Sequence, residues 1–387
     1  MAIPNKAALW VVLATATTTV MAGSVIAPVL NVMGEGLGAD PASARLIITT
    51  HGILIAVCSP LIGFVIDRIG VRWPFILGLA LYGLAGGSGL IITDYWLLIV
   101  SRVLLGIGVA AIFTANTVIV LNLYEGYIRN KVMGWRASSN SIGGVLWPLL
   151  GGFLGTFSWH MPFAAYLIGI PLAITVLLTI PETPKGAACP PDNLTGKQES
   201  VLNLFRDNPI LFIPYGLIFL GNILLYAVIV FLPKLVEQFG ITSPFYIGLF
   251  ISGMALVAGA LSVIYGKIRA KLSYKAIVLT ALALWAVGFA LASEALSIWF
   301  VVVAIILFGI GLGLIMPTVP LWVGELAPAS FRGRMTSYIA TFSFTGQFLS
   351  PIILSPVASS LGLNAVFLVV GAFCALIFLL FLILLRR

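Results

Sequence analysis

Apolar residues fill this chain in long unbroken runs, and the charged positions are confined to the short intervals between them. Twelve runs reach about 20 residues, the length that crosses a hydrocarbon core. They lie at about 8–30, 45–66, 74–92, 97–122, 137–157, 161–180, 210–232, 245–265, 276–293, 297–322, 336–357 and 362–385, and are called spans 1 to 12 in that order. Inside them, polar residues do not recur at the three-to-four-residue spacing that would give each helix a watery side. A large soluble helical core is therefore excluded. The pattern predicts an all-α membrane protein with twelve transmembrane helices.

A second pattern is laid over the first. Gly63 recurs as Gly266, Trp96 as Trp299, Gly106 and Gly108 as Gly309 and Gly311, Arg129 as Arg332, Gly143 as Gly346 and Pro148 as Pro351, all at a constant displacement of 203 residues. Matches of Gly, Pro, Trp and Arg in one register do not arise from shared hydrophobicity. They predict two pseudo-symmetric six-helix bundles, 1–181 and 210–387, built around one central path as in secondary transporters. The one long polar stretch, 182–209, falls where the repeat divides and reads as a cytoplasmic linker loop. Within it Val201, Leu202, Leu204 and Phe205 alternate with Asn203 and Arg206, which fits a short helix lying on the membrane or plain linker.

The formal charge of +8 would draw a polyanion if it were clustered. With the N-terminus placed in the cytoplasm, seventeen of the twenty Lys and Arg residues lie inside, Arg45 and Lys234 lie outside, and Arg102 lies within span 4. That bias puts both termini in the cytoplasm of a multi-pass protein of the cytoplasmic (inner) membrane. The basic charge is topological and needs no nucleic acid. Cys58, Cys189 and Cys374 fit neither a disulfide frame nor a metal site. Lys6 and the apolar stretch after it resemble a signal peptide, but span 1 is too long for one and is expected to stay uncleaved.

Between spans 2 and 3 stands Gly63-Phe-Val-Ile-Asp67-Arg68-Ile-Gly70-Val71-Arg72. A glycine there permits close helix approach, and an acid can meet a helix N-terminus. Here the sequence resembles the major facilitator superfamily, whose signature is this loop, over the whole chain. Val71 stands where the family usually has a basic residue, so Arg68 or Arg72 would supply the gating salt bridge. The resemblance implies that Asp67, Arg68 and Arg72 pair with Glu125 at the end of span 4, with Glu325 as the comparable acid of span 10. The second copy, Gly266 to Ser273, has Ala270 where the first has Asp67.

Two further motifs point to the twelve-helix drug:proton antiporter branch. Arg102 precedes Gly106 and Gly108 in span 4, where an arginine costs ~2.5–3.5 kcal/mol to insert and needs a polar partner. Its repeat partner is Ile305, so the fold does not require it. The family resemblance implies a role in proton transfer; snorkelling to the outer surface is the alternative. In span 5, Gly143, Gly144, Pro148, Gly151 and Gly152 resemble the antiporter signature, in which a proline kink and small residues allow tight packing. Trp147 occupies a usual glycine position, where it would line the cavity or loosen that packing.

The remaining intramembrane polar groups fall on helical stripes. Arg102, Val109, Phe113 and Asn116 share one face of span 4; Tyr215, Asn222 and Tyr226 share one of span 7; Thr15 and Thr19 lie a turn apart in span 1. The resemblance makes spans 1, 4, 7 and 10 the cavity walls and these residues candidate substrate contacts. Asn140, Trp147, Ser343 and Gln347 are further candidates, each readable instead as glue between helices. His51 in span 2 is the one core side chain that titrates near neutrality and is a candidate for proton coupling.

All twelve acids stand in loops or at span ends. Without a mid-span carboxylate, bulky organic cations are poor substrates and neutral or anionic amphiphiles are favoured. An intramembrane enzyme would need a paired acid and base or a metal constellation, and two histidines with no mid-span acid supply neither. The expected function is secondary active transport, as proton-coupled efflux of amphiphilic molecules of the multidrug-resistance kind by alternating access. Uptake or uncoupled facilitation of a small anionic or neutral solute is the alternative. No cofactor is expected beyond a proton gradient as energy source; the expected partners are a small-molecule substrate and the lipid bilayer, with the protein a monomer.

Overall fold

Hydrocarbon offers no hydrogen-bond partners, so each apolar run must satisfy its backbone internally, and a helix does this within one segment. The computed structural model describes residues 6–124, 126–180, 206, 209–326 and 332–384. Every span is helical, with no strand among the described residues. Ten stretches are long and apolar enough to cross a membrane, from Lys6–Gly36 to Leu363–Ile383. The helices Gly126–Gly155 and Arg332–Leu361 are spans 5 and 11 and complete a twelve-helix membrane protein. The linker 182–209 lies outside the described residues except for Arg206 and Pro209, as does Cys189.

Local chemistry sets the helix ends. Asp40 caps span 2 (Pro41–Ile69), its carboxylate accepting from the amides of Ala42 and Ser43 at 2.9 and 3.1 Å. Gly70 closes that helix with φ of 88°, a conformation side chains resist, and its N–H returns to the Ile66 carbonyl at 2.9 Å. Span 1 is helical over Lys6–Ser24, tightens to a 3-10 turn at Ala27–Val29 around Pro28, and resumes as Leu30–Gly36. The helices of spans 5 and 11 begin earlier than their apolar runs. Arg136, counted with the loop charges from sequence, therefore stands on a helix, since Arg and Lys are good helix formers and carry it past the apolar segment.

The chain forms two units, Met1–Asn193 with Ser243–Gly248, and Leu194–Thr242 with Leu249–Arg387. In the first, span 1 packs on span 5, span 4 (Tyr95–Leu123) on spans 2 and 3, and span 3 (Arg72–Gly87) on span 6. In the second, span 7 (Phe212–Glu237) packs on span 11, and span 9 (Tyr274–Ser293) on spans 10 and 12. The sequence repeat reappears atom by atom. A Cβ on Gly106 would meet the His51 carbonyl and Leu54; one on Gly309 would meet the Met254 carbonyl and Val257, each partner 203 residues on. Tyr82 and its repeat partner Trp285 are both fully buried, against Gly108 and Gly311. Trp96 and Trp299 are both largely exposed at the starts of spans 4 and 10, as interfacial tryptophans are.

Candidate functional site

Asn116 of span 4 is almost fully buried, and its amide N–H groups go to span 1: 2.8 Å to the Val12 carbonyl and 2.8 Å to Thr15 Oγ1. Thr15 passes its own hydroxyl proton back to the Val11 carbonyl at 2.7 Å. The Asn116 carbonyl oxygen Oδ1 is buried without a partner. One turn along span 1, Thr19 is half-buried and bonds only within its helix, to Ala16.

Arg102 does not snorkel; it is wholly buried. Its Nη2 donates to the Gly86 carbonyl at 3.1 Å and its Nε to Ser101 Oγ at 3.3 Å. The guanidinium lies 5.0 and 5.1 Å from the ring centroids of Phe163 and Tyr166 in span 6, contacts that favour a desolvated cation. Glycines make room for this cage, since a Cβ at Gly86 or Gly89 would strike Tyr166 or Phe163. The cage is tied to span 1 by two hydroxyls: Tyr82 donates to the Thr18 carbonyl at 2.9 Å and Tyr166 to the Ala22 carbonyl at 2.7 Å. Nη1 of Arg102 has no partner. His51 is also buried, on the span 2 face that Gly106 packs against, with Nδ1 unpartnered.

Span 5 joins span 1 through its glycines. Gly143 backs onto Thr17 and Gly151 onto the Val25 carbonyl, while Gly152 meets the Pro244 carbonyl within the first unit; Gly144 is half-buried and Pro148 buried. Trp147 keeps this tight packing. Its indole N–H donates to the Thr17 carbonyl at 3.0 Å, a staple between the two helices. In the second unit Ser350, the repeat partner of Trp147, does the same to the Ile223 carbonyl at 2.8 Å.

There the second polar seam joins spans 7 and 11. Gln347 Nε2 donates to Asn222 Oδ1 at 3.0 Å, and Asn222 donates to the Ile218 carbonyl at 2.8 Å. Tyr215 is buried with its ring centroid 5.2 Å from that of Phe342; Tyr226 is buried and Ser343 half-buried. A separate apolar crevice of about 550 Å³, between spans 7, 11 and 12, includes none of these residues.

The loop motif is only partly assembled among the described residues. Arg72 Nη2 donates to the Leu177 carbonyl at 2.5 Å, and exposed Arg68 lies 4.2 Å over the Phe64 ring. Glu125 and the side chain of Asp67 lie outside the described residues, and with them the expected pairing. The close approach assigned to Gly63 is corrected: among the described residues nothing lies within 4 Å of its Cβ position. Span 2 meets span 4 on the face of His51 and Leu54, and Gly63, twelve residues beyond His51, sits about 120° round the helix. In the second copy, Glu325 accepts from the Tyr274 hydroxyl at 2.7 Å. Tyr274 lies between the Trp322 ring (5.2 Å, 11°) and the Arg269 guanidinium (3.9 Å). The acid at the end of span 10 thus meets the second copy of the loop through Tyr274.

Sequence reasoning missed one residue, Arg136. It is half-buried on span 5 with its guanidinium 5.3 Å from the Phe113 ring centroid and Nε buried without a partner. The available signal was its place on one helical stripe with Asn140, Gly143 and Trp147.

The described residues thus bring together helix seams, buried cations and unsatisfied amide oxygens, and group no metal ligands. A model of the Major Facilitator Superfamily matches residues 12–245 and 216–387. The chain belongs to that superfamily. Among major facilitator proteins, it is similar to the bacillibactin exporter of Bacillus subtilis (strain 168), at 26% identity over 376 residues, 92% of this chain and 90% of that protein. It is also similar to the multidrug efflux pump SdrM of Staphylococcus aureus (strain N315), at 29% identity over 136 residues, only 35% of this chain and 30% of that one. The human organic anion transporter MFSD10 matches in structure with a TM-score of 0.72 and 19% identity, over 98% of this chain and 99% of that. The nucleoside transporter NupG, solved as a point mutant, matches with a TM-score of 0.78 and 15% identity, over 97% and 99%. At such identities these two likenesses show the fold alone. As a major facilitator protein the chain is a multi-pass membrane transporter of small molecules and not an enzyme.

Proposed function

We propose that this transporter exports amphiphilic neutral or anionic small molecules from the cytoplasm in exchange for protons, by alternating access. In this reading it is a monomer in the cytoplasmic membrane with both termini inside and a linker at 182–209. The observation that carries the substrate class is the charge of the membrane interior. No acid stands in the middle of any span, while Arg102 is sealed among rings and carbonyls with no carboxylate partner among the described residues. In a medium of low dielectric an uncompensated guanidinium repels cations and favours anions over many ångströms. The direction of transport rests on a relative named as an exporter, matched over 90% of its length.

Proton exchange is assigned to His51 and Arg102, which lie one each on spans 2 and 4 around the Gly106 contact. A proton arriving at His51 would place a second positive charge near Arg102, and the cage hydroxyls of Tyr82 and Tyr166 would pass that strain to the span 1 carbonyls. The test is transport in reconstituted vesicles with an imposed pH gradient, using a fluorescent aromatic carboxylate as cargo. Export that accelerates with the gradient and slows when it is collapsed is expected. A flux indifferent to the gradient removes antiport and leaves facilitation.

A further inference from the structure

Arg136 stands in the third turn of the span 5 helix, Gly126–Gly155, against the Phe113 ring of span 4. Its Nε is buried and makes no hydrogen bond, and one turn along Asn140 has its Oδ1 buried and equally unpartnered. Residues at i and i+4 lie side by side on a helix, so two unsatisfied polar groups share one patch. Farther along the same stripe, Gly143 and Trp147 close against Thr17 of span 1. The stripe is thus packed at one end and left unsatisfied at the other.

Arg136 is half-buried overall, but its Nε lies out of reach of water, and a guanidinium so placed is favoured where a partner compensates the hydration it has lost. Among the described side chains of the first unit the carboxylates are Glu35, Asp40 and Asp94. Asp94 caps the start of span 4, and the helix from there to Phe113 is about 28 Å long. Glu35 and Asp40 belong to that same end, where Tyr95 donates to the Ser43 carbonyl at 3.1 Å. None reaches Arg136. Nor does the shared helix packing require a cation there, because the repeat partner of Arg136 is Ile339.

We propose that Arg136, Asn140 and the ring of Phe113 form the site that takes the carboxylate of a transported organic acid. This rests on the export reading only for its substrate class. The planar guanidinium fork matches a carboxylate, and Asn140, whose amide oxygen and nitrogen exchange places by a half-turn, offers an N–H to the second oxygen. Phe113 presents an aromatic surface to the organic body. One cation with one neutral amide balances a single negative charge, so a monocarboxylate fits the site and a dianion does not.

The test is binding of 2-naphthoate and its neutral counterpart 2-naphthamide to the purified full-length protein in detergent, followed by calorimetry. The wild type is expected to prefer naphthoate. Arg136→Gln is expected to weaken naphthoate binding roughly tenfold or more, the scale of a lost charge-assisted hydrogen bond, and to leave naphthamide unchanged. Arg136→Lys should fall between, and Asn140→Ala should weaken naphthoate roughly threefold for a neutral hydrogen bond. A wild type that does not prefer the acid, a preference that survives Arg136→Gln, or equal loss of both ligands overturns the assignment. If Arg136→Gln does not fold, Asn140→Ala and Phe113→Leu decide, and an unaltered naphthoate preference in both overturns it. The assay carries no proton gradient, so loss of antiport in vesicles with a retained naphthoate preference separates failure of the export reading from failure of this site.

Discussion

Arg102 donates through Nη2 to the backbone carbonyl of Gly86, 3.1 Å away and sixteen residues back in the chain. The bond holds a fully buried charge against the end of span 3 and ties span 4 to it. Arg102→Met keeps volume and removes the charge. It leaves the Gly86 carbonyl unsatisfied, at a cost of about 1–3 kcal/mol, so the protein is expected to fold with a lowered Tm and to lose transport. Tm and vesicle flux on the same preparation check this; wild-type flux would remove Arg102 from the mechanism.

The two kinds of glycine in the motifs predict opposite outcomes. Gly106 and Gly309 sit against the carbonyls of His51 and Met254, with no space for a larger side chain, whereas Gly63 has no neighbour within 4 Å among the described residues. Gly106→Val and Gly309→Val are expected to destabilise by about 1–3 kcal/mol or more through overpacking. Gly63→Ala, inside a helix with room for its methyl, should leave stability unchanged or raise it by up to about 1 kcal/mol. Thermal unfolding of the three variants in one detergent distinguishes them.

The seams between spans 1 and 4 and between spans 7 and 11 should each show modest coupling. Double-mutant cycles of Asn116→Leu with Thr15→Val, and of Asn222→Leu with Gln347→Leu, are expected to give about 0.6 kcal/mol and not more than about 1.7. Larger values would mark these residues as structural pillars and weaken their candidacy as substrate contacts.

Asp40 gives a pH dependence whose sign is fixed. The Ser43 hydroxyl, then the Ser43 and Ala42 amides, hold its carboxyl below the ordinary aspartate value of 3.8. A depressed folded value means that the cap stabilises fully above the unfolded value and is lost as pH falls through the folded one. Asp40→Asn, which keeps an acceptor but no charge, should therefore be less stable than wild type at pH 7. Its Tm deficit should shrink only below about pH 4. A deficit that stays constant down to pH 3 would contradict the carboxylate cap.

What the chain settled by itself is the helical architecture and the repeat, because both follow from one-dimensional rules. Apolar length dictates a spanning helix, and a shared register of Gly, Pro, Trp and Arg reports shared packing before any packing is seen. Gly106 and Gly309 were legible in this way. Direction was not. Span 4 carries Arg102, Phe113 and Asn116 on one stripe, yet Arg102 turns to spans 3 and 6 while Asn116 turns to span 1. Trp147 read as a wall or a flaw and is a staple; Arg136 read as a loop charge and stands against Phe113. These outcomes depend on which neighbour meets each face, and on whether it brings a carbonyl, a ring or nothing at all. Sequence spacing fixes the face, and only the tertiary structure supplies the neighbour.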